Sequence, residues 1–92
     1  MFELGQVVIT RGIQFALKDN LFTRKDLLNC LVLHNKNISE SCEEDRTYNL
    51  EDIKNNCGRV LNKYTLKEKY TIFINTYLGD YKETTIMFTY EY

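Results

Sequence analysis

Proline and tryptophan are absent from this 92-residue chain, histidine occurs once and glycine four times. Without proline there is no polyproline segment for an aromatic-lined groove to read, and no stiff linker between domains. Gly5, Gly12, Gly58 and Gly79 stand apart from one another, so there is no glycine-rich loop to cradle a phosphate. No apolar run approaches the ~18–20 residues of a membrane-spanning helix. Met1-Phe2-Glu3 lacks the basic start and apolar stretch of a secretory signal. Neither charge sign dominates: 12 Lys+Arg face 13 Asp+Glu, a net charge of −1. That balance removes any global electrostatic attraction to nucleic acid or to an anionic membrane. The expectation is a cytoplasmic protein with no membrane partner.

Cysteine is scarce too. Cys30, Cys42 and Cys57 are odd in number and form no C-x-x-C pair, so they do not read as a disulfide framework. On a helix Cys30 and His34 share a face, and with Cys42 and Cys57 they make up a Cys₃His donor set. No pair has the spacing of a zinc knuckle, however, and Cys30 and Cys57 suit core packing. His34 reads more simply as a residue at a helix end. No third group is identifiable to orient a Cys–His nucleophile pair. The carboxylates between Glu40 and Asp52 lie in a segment with no apolar pocket to shift a pKa. The chain is therefore expected to be non-enzymatic, with no catalytic residues, metal or cofactor.

What is present is ordinary globular composition: 43% hydrophobic and 27% charged residues, in a length that suits one domain over residues 1–92. Asn, Lys, Ile and Tyr make up 31 of 92 residues. All four use A/T-rich codons, so the abundance of Asn and Tyr reports nucleotide composition as readily as chemistry.

Gln6 to Thr10 reads as a short strand rich in β-branched residues. Thr10 is placed to cap a helix carrying Ile13, Ala16 and Leu17, which stops at Asn20. Thr23 with Asp26 three residues on begins a second helix, with Leu27, Leu28, Leu31 and Val32 as its apolar face. Residues 38–48 are the least regular stretch. A third, short helix is expected over Leu50 to Asn56, capped by Asn49 and ended by Gly58.

Three strands follow: Arg59 to Leu66, Tyr70 to Leu78 and Thr84 to Tyr90, with turns at 67–69 and 79–81. Period-2 alternation puts Ile72, Ile74, Ile86 and Phe88 on one face, to pack on the helices. The opposite face carries Leu61, Phe73, Tyr77 and Met87 among Thr, Asn and Lys. It is apolar enough to be half-buried, or to support self-association as a homodimer. The fold class is α+β in the order β-α-α-α-β-β-β. Its C-terminal antiparallel three-stranded meander packs on helices, and the first strand is added at an edge or across the face.

Charge is segregated along the chain although it is balanced in sum. Glu40, Glu43, Glu44, Asp45, Glu51 and Asp52 with one base, Arg46, give −5. Lys54, Arg59, Lys63, Lys67 and Lys69 with one acid, Glu68, give +4. The acidic segment, with Tyr48 as an aromatic anchor, suits docking on a basic groove of a protein partner. The basic segment, through Arg59, Lys63, Lys67 and Lys69, suits a small nucleic-acid-binding regulator. Alternation separates Arg59 and Lys63 from Tyr64, which weighs against one basic and aromatic platform.

Cys42-Glu43-Glu44-Asp45-Arg46, Asn49, Gly58-Arg59-Val60-Leu61 and Tyr64-Thr65-Leu66 carry a resemblance that runs over nearly the whole chain. Met1 to Thr10 matches an opening Phe-x-Leu-Gly-x-Val-Val-x-Thr segment, and Thr84-Thr85-Ile86 with Glu91-Tyr92 matches the close. The chain resembles a family of small plasmid- and prophage-borne bacterial proteins often labelled as associated with restriction systems. It departs from that pattern at two places. An Asp-Trp-Gly element is replaced near Asn37-Ile38-Ser39-Glu40, and a proline after the first strand by Arg11. The resemblance implies a mobile-element accessory protein. By analogy with other small proteins of such elements, it implies a stoichiometric inhibitor of a host CRISPR or restriction complex.

Overall fold

The computed structural model describes residues 2–39 and 43–92, with the backbone alone at 43–46. Seven elements follow one another: β1 (Gln6–Ile9), α1 (Arg11–Lys18), α2 (Arg24–Asn35), α3 (Glu43–Asn55), β2 (Arg59–Leu66), β3 (Tyr70–Tyr77) and β4 (Glu83–Phe88). A short 3₁₀ turn at Thr89–Glu91 closes the chain. The α+β class and the order β-α-α-α-β-β-β stand as expected.

The sheet runs β1-β4-β3-β2. β2, β3 and β4 form the antiparallel meander, whereas β1 joins the far edge parallel to β4. The sheet is thus mixed. All three helices lie between β1 and its partner in sequence, and a crossover of that length is what a parallel pair requires.

Local chemistry sets the element ends. The Thr10 hydroxyl accepts the Ile13 N–H and donates to Glu91 Oε1 at 2.8 Å; the same carboxylate oxygen accepts the Phe88 N–H at 2.8 Å. The start of α1 is thereby tied to the C-terminal turn. Asn20 ends α1 in the left-handed region (φ 59°), and the Leu21 N–H returns to the Ala16 carbonyl. Thr23 and Asp26 form the full reciprocal box expected at the start of α2. Gly5 leads into β1 at φ 64°, where a Cβ would collide with the Lys82 carbonyl, so this position needs glycine twice over.

Three expectations are corrected. The buried face of α2 is Leu27, Cys30 and His34, while Leu28 is 59% and Val32 55% exposed. Apolar residues surround this helix, so periodicity cannot choose a face; the polar partners of His34 choose it. α3 starts at Glu43, well before Leu50, which places Asn49 inside the helix rather than at its cap. A helix without an apolar stripe gives no periodic signal. The last strand ends at Phe88, and Tyr90 lies in the 3₁₀ turn.

The helices cover one sheet face. The core there joins Ile13 and Ala16 of α1, Phe22 of the connecting loop, and Leu27 and Cys30 of α2 to Tyr64, Leu66, Ile72, Ile74, Ile86 and Phe88 of the strands. Phe22 sits edge-on to both Tyr70 and Phe88. The four strand residues assigned to the helix-facing side are all buried.

Candidate functional site

One end of the helix-covered face is polar. Thr76 and Thr84 are register partners on β3 and β4, and Asn62 lies on β2. All three point toward the helices by strand alternation, and His34 descends on them from the last turn of α2. The contacts run in one direction. The Thr84 hydroxyl donates to the Leu4 carbonyl at 2.6 Å, so its oxygen is left to accept from Thr76 at 2.7 Å. Thr76 Oγ1 in turn accepts from His34 Nε2 at 2.8 Å, and His34 Nδ1 accepts from the Asn62 amide at 2.9 Å.

The far end is fixed by backbone. Asn49 Oδ1 accepts the Leu61 N–H at 3.2 Å and Asn49 Nδ2 donates to the Leu61 carbonyl at 3.0 Å. The side chain imitates a neighbouring strand at the outer edge of β2 and covers groups that would otherwise template edge pairing. Its two amide hydrogens also serve Asn62 Oδ1 and Asn37 Oδ1, each at 3.0 Å, so one hydrogen is shared. Both ends of the chain of contacts therefore require a neutral His34 protonated on Nε2.

His34 is 0% exposed, and burial pulls its pKa from 6.5 to about 4. Phe2 stands edge-on to the imidazole, ring centroids 5.3 Å apart. With both ring nitrogens engaged and no solvent contact, the histidine serves to lock α2 to the sheet. The same engagement takes it out of the Cys₃His set. Cys30 is buried in the core, Cys57 is exposed and Cys42 lies outside the described residues. Among the described residues no group of three His, Cys, Asp or Glu side chains is arranged to hold a metal ion.

A second feature lies where β1 meets α2. Val7, Ile9, Leu17, Arg24, Leu27, Leu28, Leu31 and Ile86 line a groove of about 330 Å³. Leu28 and Val32, one helical turn apart, continue its apolar wall into solvent, and Val7 is also exposed. β1 bonds to β4 along one side: Gln6 and Thr10 donate to Lys82 and Ile86 carbonyls. Alternation turns the backbone groups of Val7 and Ile9 toward the outer edge, beside the groove.

The sequence-predicted residues fall into three groups. Glu40 lies outside the described residues, and Glu43, Glu44 and Asp45 form the first turn of α3. Tyr48 and Glu51 are exposed on that helix, whereas an Asp52 carboxylate oxygen accepts the Arg59 N–H at 3.2 Å and lies over Gly58. Leu61, Phe73, Tyr77 and Met87 share the sheet face turned away from the helices. Arg59 and Lys63 are on that same face. Lys67 instead pairs with Asp26 at 3.5 Å, and Lys69 lies 5.4 Å over the Tyr70 ring, both at the opposite corner.

Tyr64 does point away from Arg59 and Lys63, toward the helices, with its hydroxyl on the Ile38 carbonyl. The wider inference that cations and aromatics occupy different faces is corrected, because register sets Tyr77 beside Arg59 and Phe73 beside Lys63. The alternation of one strand cannot reveal aromatics delivered by its neighbour. No helix among the described residues is long and apolar enough to cross a membrane. Comparison with known protein families, curated proteins and solved structures finds no match.

Proposed function

We propose that this chain is a non-enzymatic protein-binding module of a mobile element. It would act in the cytoplasm as a stoichiometric inhibitor that occludes a host defence nuclease complex, of CRISPR or restriction type. The observation that supports this reading is the apolar groove between β1 and α2, with Leu28 and Val32 standing out beside it. Contiguous apolar surface next to an open strand edge is the kind of surface that partner chains cover. The acidic first turn of α3, with Tyr48 and Glu51 exposed beyond it, supplies the charge to steer onto a basic groove.

The test is capture of partners from host lysate with tagged wild-type protein, followed by inhibition of the identified complex with purified components at increasing molar ratio. Inhibition that saturates near stoichiometric ratio supports the reading. Leu28→Asp with Val32→Asp is expected to abolish both capture and inhibition. Retention of both would show that the groove is not the docking surface. Glu43, Glu44 and Asp45 changed together to Ala leave binding intact at ordinary salt only if acidic docking is wrong. A second reading, nucleic-acid binding, is favoured by one specific observation, the meeting of cations and aromatics on the open sheet face.

A further inference from the structure

The open sheet face differs chemically from the groove. Register makes Arg59 the neighbour of Tyr77, Leu61 of Asn75, and Lys63 of Phe73. Tyr92 returns across this face: its ring lies 5.3 Å from Phe73 at 64°, the Arg59 guanidinium sits 5.4 Å over it, and the same guanidinium bonds its hydroxyl. Tyr77 is 54% exposed, so one aromatic surface is open to a planar ligand.

Two further observations narrow the occupant. Asn75, at the centre of the face, is 2% exposed, and its Oδ1 is buried with no hydrogen-bond partner. A buried acceptor without a donor destabilises the free protein, and a ligand N–H that reached it would recover that loss. The face also has a charge preference. Among the described residues the one ion pair joins Lys67 to Asp26, which leaves the Arg59 guanidinium and the Lys63 ammonium without a carboxylate partner, Asp52 taking only the Arg59 backbone N–H. Strand residues on this face include a single acid, Glu83, at its end beside Tyr77.

We propose that this face binds a single strand of nucleic acid. Bases stack on Tyr77 and on the Phe73–Tyr92 pair, and phosphates lie along Arg59 and Lys63. As the side chains over buried Asn75 part on binding, the exocyclic amine of a base donates to Asn75 Oδ1. Stacking tolerates any base, because every base has a π-face. The empty acceptor adds a preference for bases whose exocyclic amine projects beyond the ring over thymine, whose one N–H donor, at N3, is recessed between two carbonyl oxygens that repel Asn75 Oδ1. Duplex is excluded, because its bases cannot reach the aromatics while stacked.

The test uses fluorescein-labelled oligo(dA) and oligo(dT), each roughly a dozen nucleotides long, read by anisotropy at low salt and then at rising salt. Both probes are expected to bind, oligo(dA) more tightly, with a shallow log–log salt slope of about −1.4 for two phosphate contacts. Tyr77→Ala is expected to weaken both about tenfold or more. Lys63→Gln should reduce the slope by about 0.7. Asn75→Val is expected to raise the melting temperature while removing the preference for oligo(dA), a pairing of effects that a purely structural asparagine would not give. Leu28→Asp leaves all of these values unchanged, which keeps the outcome separate from that of protein docking in the groove. The proposal is overturned by flat anisotropy with both probes at low salt. It is equally overturned by binding that survives Tyr77→Ala and Lys63→Gln, by equal competition from duplex, or by a dimer built on this face that Tyr77→Ala dissolves.

Discussion

Acidification should unfold this protein through its single histidine. His34 is neutral in the native state and held near a pKa of about 4, against an ordinary value of 6.5. Above pH 6.5 neither the folded nor the unfolded chain carries the proton, and the stability is fully present. Between 6.5 and 4 the unfolded chain binds a proton that the native chain refuses, so stability falls as pH falls. The interval of about 2.5 units at ~1.36 kcal/mol per unit amounts to a loss of about 3 kcal/mol, a large share of the ~5–15 kcal/mol typical of a domain.

The structural cause is specific. A protonated Nδ1 would face the Asn62 amide hydrogens. Asn62 cannot turn over without aiming those hydrogens at Asn49 Nδ2, which the Leu61 backbone holds in place. Urea denaturation at a series of pH values between 7.5 and 4.5 measures the slope. Nitrogen-detected NMR of the one imidazole reports the Nε2–H tautomer and the native pKa directly. His34→Gln, which keeps a donor and an acceptor but does not titrate, should flatten the profile in that window. A native imidazole that titrates near 6.5, or an equal slope in His34→Gln, would refute the reasoning.

Asn49→Ala should cost about 2–4 kcal/mol in urea denaturation, because it strips partners from the Leu61 backbone and from Asn62 and Asn37. It should also raise light scattering by opening the β2 edge. Thr76→Val, which leaves His34 Nε2–H without an acceptor, and Thr84→Val, which leaves the Thr76 hydroxyl without one, should each cost about 1–3 kcal/mol. The double variant should cost less than their sum, since it also removes the hydroxyl that Thr84→Val strands, and a double-mutant cycle reads the coupling. The hairpin turn at Lys67-Glu68 has φ of 54° and 56°, the geometry that Asn-Gly favours. Replacing the pair with Asn-Gly should therefore raise the melting temperature by a few degrees, less the contribution of the Lys67–Asp26 pair. Asp26, whose pKa is lowered by the Thr23 backbone hydrogen bond above all, adds stability that is present above pH 3.8 and lost as pH falls further.

The order and type of the elements were determined by local sequence chemistry. Thr10, Thr23 with Asp26, and Asn20 mark helix ends because their side chains and backbone preferences act within a few residues. The alternation through Ile72, Ile74, Ile86 and Phe88 marks a buried strand face because side-chain period is a property of the strand alone. The rest depended on neighbours that sequence does not order. α3 has no apolar stripe, and its place is set by polar side chains, Asn49 and Asp52, that bond the backbone of the edge strand following it. Leu28 and Leu27 are equally apolar, and only the contacts of His34 with Thr76 and Asn62 decide which one is buried. Parallel pairing of β1 with β4, the meeting of Arg59 with Tyr77, and the empty acceptor of Asn75 exist only once register is fixed. Register is a relation between distant segments, so composition and periodicity within either one cannot contain it.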